Sequence, residues 1–235
     1  RVERVDRPMN TYLVATTKPW NIEAFHHYSP RLQGNWHLVT EAEALTAKYV
    51  KKLAPRYIFF PHWSSLVGCD ILNLAECVCF HASDVPFGRG GSPVQNLIIR
   101  GFAETNLSAL RMVEELDAGP VYTKRPLSLQ GRGQDIFERM AEVIWSIIES
   151  MISEDITPVP QAGNKVFFTR RTPEQSELPM VAGVIDLYNH IRMLDAETYP
   201  TAFINYGDFK LEFTTAELRD SKVEAKVTFH KRISK

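Results

Sequence analysis

The sequence predicts an α/β fold with a mainly parallel sheet, followed by a small α+β region, and three observations lead to this prediction. Short apolar runs suited to buried strands recur along the chain, at 11–16, 36–39, 57–60 and 77–80. Segments with helical apolar spacing alternate with them, at 41–53, 93–101 and 135–153. Beyond Ile156, proline-rich and polar connectors lead into segments that alternate like strands. We therefore predict a first domain over 9–160 and a smaller region over 165–235.

Local signals justify the individual elements. Helix 135–153 carries one apolar stripe at spacings of three and four, formed by Ile136, Met140, Val143, Ile147 and Met151. Thr40 is a typical N-cap residue before helix 41–53, and Pro93 suits the first turn of helix 93–101. The segment around Pro19 is predicted to be a loop. The remaining predictions are edge strands at 107–112 and 120–126, a helix at 184–194, and strands at 203–205, 210–213 and 224–229.

Composition argues against several classes of protein. The net charge is −1, with 44% hydrophobic and 23% charged residues, so there is no basic excess to hold a nucleic acid. No apolar run approaches the roughly 20 residues that span a bilayer. Segment 1–8 is charged and lacks a signal-peptide core, so Met9 is a candidate natural start. Cys69, Cys77 and Cys79 cluster instead of joining distant segments, which predicts a reduced, cytoplasmic protein.

Two motifs define the candidate active site. Segment 79–95 contains His81, followed by a loop rich in proline, glycine and arginine, and segment 115–121 contains Asp117 before a glycine turn. A carboxylate beside a histidine holds the ring in one tautomer and stabilises its charged form, which suits proton transfer near neutral pH. We therefore predict that His81 and Asp117 meet in space and act together.

A metal site is the alternative for the first motif. Cys77, Cys79 and His81 alternate along one predicted strand, so they share a face and could hold a metal ion with a fourth ligand from elsewhere. Their spacing is tighter than in ordinary zinc knuckles, and cysteine is common in buried strands. We therefore predict no metal.

The two motifs resemble the signature of the folate-dependent formyltransferases, Asn-x-His-x-Ser-x-x-Pro-x-x-x-Gly followed downstream by Asp-x-Gly. The residues that match the first part are His81, Ser83, Pro86 and Gly90, and 117–119 matches the second. The resemblance covers residues 11–155 and implies a Rossmann-like catalytic domain. In the tail, segments 168–176, 191–195 and 199–203 look like the linker and short C-terminal region of bacterial sugar-nucleotide N-formyltransferases.

The resemblance implies the chemistry. In this family an acceptor amine attacks the formyl carbon of N10-formyltetrahydrofolate, and a tetrahedral oxyanion collapses to the formamide and tetrahydrofolate. His81 would be the base or the oxyanion partner, and Asp117 would orient it. The tail implies a nucleotide-linked amino sugar as acceptor, in bacterial surface-glycan biosynthesis, since it is short for a methionyl-tRNA formyltransferase and the charge is balanced. Transfer to another amine, including a methionyl-tRNA-like acceptor, and formyl hydrolysis remain alternatives.

Cys79 departs from the family pattern because it occupies the position of the signature asparagine. An asparagine amide donates a hydrogen bond to the developing oxyanion, whereas a thiol is a weak donor. The loss of one such donor costs about 100-fold or more in rate. Three interpretations follow: a site adapted to the thiol, a folate-binding relative with degraded catalysis, or a shift to hydrolysis.

The resemblance also assigns binding residues. The residues expected at the pterin ring are His62, Trp63 and Leu66 on one side and Glu114 and Leu116 on the other. The residues expected at the acceptor are Ser83, Pro86, Arg89, Gly90 and Gly91, where paired glycines allow close approach of a ligand. Core packing is the alternative for Trp63, and a bond to Asp84 or Glu115 is the alternative for Arg89.

A homodimer through the C-terminal region is a further expectation from the resemblance. The apolar residues suited to such an interface are Phe203, Phe209, Leu211 and Phe213. The same residues would also suit the core of a small domain.

Overall fold

The computed structural model describes residues 9–180 and 183–232. Its elements are, in chain order, β1 (Thr11–Ala15), α1 (Pro19–Tyr28), β2 (Asn35–Val39), α2 (Ala47–Leu53), β3 (Tyr57–Phe60), α3 (Cys69–Leu72), β4 (Glu76–His81), β5 (Phe87–Gly90), α4 (Pro93–Ile99), β6 (Glu104–Arg111), β7 (Val121–Ser128), α5 (Gly133–Ser153), β8 (Val166–Phe168), α6 (Val184–Leu194), β9 (Ala202–Tyr206), β10 (Phe209–Arg219) and β11 (Lys222–Lys231). No helix in the described part of the chain is long and apolar enough to cross a membrane. The predictions for segment 1–8 lie outside the described residues.

The chain divides into two compact units, and each is discontinuous in sequence. The first contains the residues up to His81, Ser108–Arg125 and Ala141–Ala162. The second contains Ala82–Leu107, Pro126–Met140 and the chain from Gly163 onward. The sequence-based domain boundary between residues 160 and 165 stays a prediction.

A six-stranded sheet with the order β2-β1-β3-β4-β6-β7 organises the first unit. β1 pairs in parallel with β2 and β3, and β3 pairs in parallel with β4. β6 runs antiparallel to β4, with His81 opposite Ser108. The predicted α/β fold with a mainly parallel sheet is confirmed. Of the two predicted edge strands, β7 lies at the edge, whereas β6 lies inside the sheet between β4 and β7.

An ion pair joins β4 to its antiparallel neighbour β6. The Arg111 guanidinium, at the end of β6, donates to the Glu76 carboxylate at the start of β4, with Nη2 and Oε1 2.5 Å apart. The Tyr122 hydroxyl contacts the same carboxylate. Burial acts to raise the pKa of Glu76, but the hydrogen bonds from Tyr122 and Arg111 outweigh it, and the net pKa lies below its ordinary value. Glu76 is therefore an ionised partner that joins β4, β6 and β7.

The two faces of this sheet carry different cores because successive strand residues point to opposite sides. On one face lies a mainly aliphatic cluster (below, the aliphatic cluster) that includes Leu13, Ile58, Phe60 and Cys77, with Val50 from α2 among its members. The other face is aromatic, with ring centroids of Tyr12 and Trp36 4.7 Å apart, Trp36 and Trp145 5.5 Å apart, and Phe59 and Phe80 6.3 Å apart. Cys79 packs against the aliphatic cluster.

Two predictions near the N-terminus are wrong. The segment around Pro19 is a helix, not a loop, because Pro19 occupies the first helical position, where its missing N–H costs nothing. The predicted helix 41–53 begins late: 42–44 is a 3₁₀ turn and α2 starts at Ala47. The N-cap of α2 is Thr46 instead of Thr40, since the Thr46 hydroxyl accepts a hydrogen bond from the Tyr49 amide at 3.2 Å.

The second unit contains the predicted C-terminal elements. β9, β10 and β11 form an antiparallel sheet in the order β11-β10-β9, and helix α6 matches the predicted 184–194. Arg192 in α6 donates to the carbonyls of Leu129 and Gly131, at 2.7 and 2.8 Å. The small α+β region is therefore confirmed. The short parallel pair β5–β8 has no counterpart among the predicted strands.

Candidate active site

His81 is the last residue of β4, at the carboxyl end of the parallel strands. β1, β3 and β4 end at Ala15, Phe60 and His81, and parallel strands end on a common edge. Ligands of open α/β sheets bind beside that edge. Cys79 lies two residues earlier, so it shares a sheet face with His81. The topology of the sheet therefore places His81 at the edge where ligands of such sheets bind, with Cys79 on the same face.

The structure brings His81 and Asp117 together. His81 Nδ1 lies 3.5 Å from Asp117 Oδ2, and the two side chains are only 9% and 10% exposed. Asp117 belongs to the loop between β6 and β7, which begins beside β4, where the Met112 amide donates to the Cys77 carbonyl at 2.8 Å. A carboxylate at this distance can fix the orientation of the ring.

Backbone constraints fix the turn that carries Asp117. Asp117 has a φ of +53°, in the left-handed region that costs about 1–2 kcal/mol for a residue with a side chain. At Gly119 a Cβ would lie 1.7 Å from the Arg111 carbonyl oxygen, so no side chain fits there. The Arg111 amide donates to the Pro120 carbonyl at 2.9 Å, which closes the turn against the end of β6. The glycine of the Asp-x-Gly motif is thus required for steric reasons.

Gln161 is a contact of this turn that sequence reasoning missed. Its side-chain amide donates to the carbonyls of Asp117 and Gly119, each at 2.8 Å. The sequence contains no signal for it, because Gln161 lies in a proline-rich connector whose composition suggests a break between domains. Only the folded chain brings this connector to Asp117.

The cysteines of β4 are neutral thiols. Burial, and then the negative charge of Asp117, raise the pKa of Cys79. Burial, and then the charge of Glu76, raise the pKa of Cys77 to about 12. All three cysteines of the chain are free. Because a thiol with a raised pKa keeps its proton at neutral pH, Cys79 can offer an S–H donor but not a thiolate nucleophile.

The residues predicted at the pterin occupy different environments. His62 has a φ of +53°, and its ring centroid lies 5.5 Å from that of Trp20. Trp63 packs against the aliphatic cluster, while its buried indole N–H has no hydrogen-bond partner among the described residues. Leu66 is 98% exposed and Leu116 is 64% exposed.

Glu114 completes the predicted set on the β6–β7 loop. Its carboxylate accepts a hydrogen bond from the Cys69 thiol at the start of α3, with Sγ and Oε1 3.0 Å apart. This bond, followed by the charge of Glu114, raises the pKa of Cys69. The loop therefore contacts α3 as well as β4.

The residues predicted at the acceptor follow directly after His81, in the second unit. The Ser83 hydroxyl donates to the Gly88 carbonyl at 3.1 Å, and the Val85–Pro86 bond is cis. Arg89 is buried within β5, with 3% of its surface exposed.

The glycines of this loop are required by close approach of the chain to itself. At Gly90, whose φ is +101°, a Cβ would lie 2.4 Å from the Phe168 carbonyl oxygen. At Gly91 a Cβ would lie 2.4 Å from the Arg170 Cα. The contacts that the structure contains at these positions are therefore with β8 and the residues after it. Approach of a ligand stays a prediction.

Metal chemistry is the alternative for the Cys77–His81 strand face. Among residues 9–180 and 183–232, no group of three or more His, Cys, Asp and Glu side chains is arranged to hold a metal ion. The described geometry at β4 is thus a histidine–carboxylate pair beside a neutral thiol, which suits proton transfer.

An α/β sheet with a buried histidine–aspartate pair at its carboxyl edge is a site suited to proton transfer, and comparisons with known proteins identify the family. Residues 173–230 match the family described as methionyl-tRNA formyltransferase, C-terminal domain. A solved structure named methionyl-tRNA formyltransferase from Clostridium thermocellum is 39% identical, covers 95% of this chain and 100% of its own, and superposes with a TM-score of 0.92. The chain belongs to the folate-dependent formyltransferase family.

More distant relatives match over most of this chain. Methionyl-tRNA formyltransferase of Bacillus cytotoxicus is 28% identical over 211 residues, which cover 86% of this chain. The chain spans 65% of the length of that protein. HypX from Aquifex aeolicus, solved in complex with tetrahydrofolic acid, is 16% identical, covers 88% of this chain and 37% of its own, and has a TM-score of 0.72. At that identity the likeness to HypX concerns the fold alone.

Proposed function

We propose that this chain transfers a formyl group from N10-formyltetrahydrofolate to the primary amine of a nucleotide-linked amino sugar. The observation that carries the proposal is the buried His81–Asp117 pair, with its 3.5 Å separation, at the carboxyl end of β4. Because the chain belongs to the formyltransferase family, formyl transfer is the reaction proposed for this pair. A cytoplasmic location is part of the proposal, supported by three free thiols.

The proposed reaction is a direct transfer. The acceptor amine attacks the formyl carbon, and the electron pair of the C=O bond moves to oxygen. His81 takes the proton that the amine loses, and the Asp117 carboxylate stabilises the resulting imidazolium. The oxyanion then collapses, the bond from carbon to N10 breaks, and N10 takes up a proton. Cys79 acts as a neutral S–H donor near the oxyanion, because its thiol stays protonated.

Cosubstrate binding is proposed for the loop after β3 and the loop after β6. The orphaned indole N–H of Trp63 supports this assignment, since a buried donor without a partner is costly unless a ligand acceptor satisfies it. His62 and the exposed Leu66 belong to the same loop. Glu114 and Leu116 are proposed for the opposite side of the pterin.

Acceptor binding is proposed for the loop after β4, through Ser83, Pro86, Arg89, Gly90 and Gly91. The charge of the C-terminal sheet favours a small acceptor over a polynucleotide. Lys210 pairs with Glu212 at 2.8 Å, and Lys222 pairs with Glu224 at 2.5 Å. Cations that are already paired on the sheet gain less from phosphates than free ones.

Methionyl-tRNA is the second candidate acceptor, and the comparisons favour it. The Clostridium thermocellum structure is named methionyl-tRNA formyltransferase, and this chain matches it over its full length. The length of the C-terminal region therefore does not distinguish a nucleotide sugar from methionyl-tRNA as acceptor. The short C-terminal region is therefore no longer an argument against methionyl-tRNA as acceptor. The proposal for a nucleotide sugar depends on charge and on the tail motifs.

One assay separates these acceptors. The protein is incubated with N10-formyltetrahydrofolate and, in separate reactions, 3-amino and 4-amino nucleotide sugars, charged methionyl-tRNA, or no acceptor, while tetrahydrofolate release and product mass are followed. A formylated nucleotide sugar supports the proposal, and formylated methionyl-tRNA transfers the assignment to the second candidate. Tetrahydrofolate release without an acceptor indicates hydrolysis. Binding of tetrahydrofolate with no turnover indicates a folate-binding relative.

The thiol at position 79 gives a prediction about the family asparagine. Cys79→Asn is expected to lower the free energy of unfolding by about 1–3 kcal/mol and to lower turnover, because it places an amide against the aliphatic cluster. Urea unfolding and the transfer assay measure the two effects. Cys77→Asn is the matched control, on the same strand face two residues away, with a similar loss of stability but unchanged turnover. A large gain in turnover for Cys79→Asn would identify a degraded transferase.

A homodimer through the C-terminal sheet is also proposed. Pairing in register places Phe209, Leu211, Val227 and Phe229 on one sheet face, where Phe229 is 59% exposed. Phe203 lies on the other face, with the Lys210 ammonium 4.5 Å from its ring centroid. A second copy of this chain would cover the exposed apolar face.

Phe229→Glu is expected to convert a dimer to a monomer because it places charge in the covered apolar face. Light scattering after gel filtration measures the mass, and Thr228→Glu, on the opposite face of the same strand, is the control. A monomeric wild-type protein at micromolar concentration would rule out this dimer.

A further inference from the structure

The connector after α5 makes two kinds of contact with the catalytic turn. The Val121 and Val159 amides donate to each other's carbonyls, both at 2.8 Å, in an isolated antiparallel bridge. Two residues later, the Gln161 amide donates to the carbonyls of Asp117 and Gly119. The connector is therefore bonded to the chain immediately before and after Pro120.

The orientation of the Gln161 amide follows from its partners. Both partners are backbone carbonyls, which only accept hydrogen bonds, so only the NH₂ end of the side chain can satisfy them. Each of its two N–H groups is used at 2.8 Å. A glutamate at this position has the same shape but no donor at neutral pH, and its charge would repel both carbonyls.

One of the two residues that Gln161 contacts is Asp117, whose side chain faces His81. Asp117 is held at a φ of +53°, a conformation that persists only when its surroundings constrain it. Its carboxylate lies 3.5 Å from His81 Nδ1, so a small rotation of the turn would separate the two groups. Bonds to the carbonyls of Asp117 and Gly119 limit that rotation from both sides.

We propose that Gln161 is a positioning residue that holds the Asp117 carboxylate against His81. This inference rests on the proposed formyl transfer, and it assigns a role to a segment whose sequence suggests a linker. Gln161 contacts neither the acceptor nor the cosubstrate in this proposal. It acts through the backbone of the turn, where a displacement of about 1 Å at the reacting groups can cost roughly 100-fold in rate.

The test uses Gln161→Glu in the full chain. We expect kcat to fall by about 10- to 100-fold while KM changes little, because binding groups are untouched. Gln130→Glu, an exposed position with the same change in charge, is the control and is expected to keep wild-type turnover. A loss of turnover that follows the urea midpoint among variants would show a merely structural role and overturn the proposal.

A double-mutant cycle separates positioning from general damage. In an Asp117→Asn background, Gln161→Glu is expected to cause little further loss of kcat, because both changes disable one unit. Losses that multiply would overturn the proposal.

A second readout does not depend on the reaction. The NMR signals of the His81 ring are expected to move in Gln161→Glu in the same direction as in Asp117→Asn, and to stay in place in Gln130→Glu. Unchanged His81 signals in Gln161→Glu would refute the positioning role even if formyl transfer were demonstrated. Shifted signals in a protein without formyl transfer would refute the proposed function alone.

Discussion

Replacing His81 with alanine is expected to lower kcat for formyl transfer by about 100- to 10,000-fold, the range that a positioned general base contributes. Asp117→Asn is expected to cause a loss within the same range. His81 and Asp117 are almost completely buried and lie 3.5 Å apart, so bulk water cannot easily replace either group. The double variant is expected to be little worse than the single ones, because the two side chains act as a unit.

Single-turnover kinetics with saturating cosubstrate and calorimetric binding of tetrahydrofolate separate chemistry from binding in these variants. Binding is expected to stay near the wild-type level, since neither side chain belongs to the proposed pterin contacts. His26→Ala, at an exposed position on α1, controls for the loss of an imidazole. If His81→Ala kept more than about a tenth of the turnover, His81 would not be the base.

Gly119→Ala is expected to be the most destabilising single substitution in the catalytic turn, lowering the free energy of unfolding by about 3 kcal/mol or more. The added Cβ would lie 1.7 Å from the Arg111 carbonyl oxygen, and backbone cannot move aside as a flexible side chain can. Relief of this clash requires a backbone movement in the turn, which the bond between the Arg111 amide and the Pro120 carbonyl opposes. Asp117 would move with the turn, so turnover should fall as well.

Urea unfolding measures the loss of stability, and Gly101→Ala is its control. Gly101 has a φ of +81°, and a Cβ added there would have no atom within 4 Å, so its cost is conformational, about 1–2 kcal/mol. If the Gly119→Ala protein had a free energy of unfolding no lower than that of Gly101→Ala, the turn could accommodate the added Cβ without a loss of stability. That result would remove the steric explanation of the Asp-x-Gly motif.

Local patterns predict the elements that hold the site. The apolar runs 57–60 and 77–80 form β3 and β4, because such runs must be buried on both faces of a sheet. The periodic stripe of 135–153 forms α5, which begins two residues earlier at Gly133. Residue type and motif single out His81 and Asp117, and the fold brings them within 3.5 Å.

Other elements depend on competing local signals or distant partners. Pro19 suggests a loop, although it is equally compatible with the first position of α1. The 3₁₀ turn 42–44 replaces the first part of a predicted helix. The strand pair β5–β8 joins residues far apart in the chain, for which short strands give no reliable pattern.

The amino-acid sequence by itself determined the α/β class, the strands that end at the catalytic edge, and the chemical types of the site residues. These properties follow from local periodicity and from motifs of neighbouring residues. The tertiary structure decided that the β6–β7 loop places Asp117 beside His81, that Cys79 lies against the aliphatic cluster, and that Gln161 bonds the Asp117 turn. Gln161 and Asp117 are 44 positions apart, and a contact at that separation depends on the tertiary fold and not on neighbouring residues.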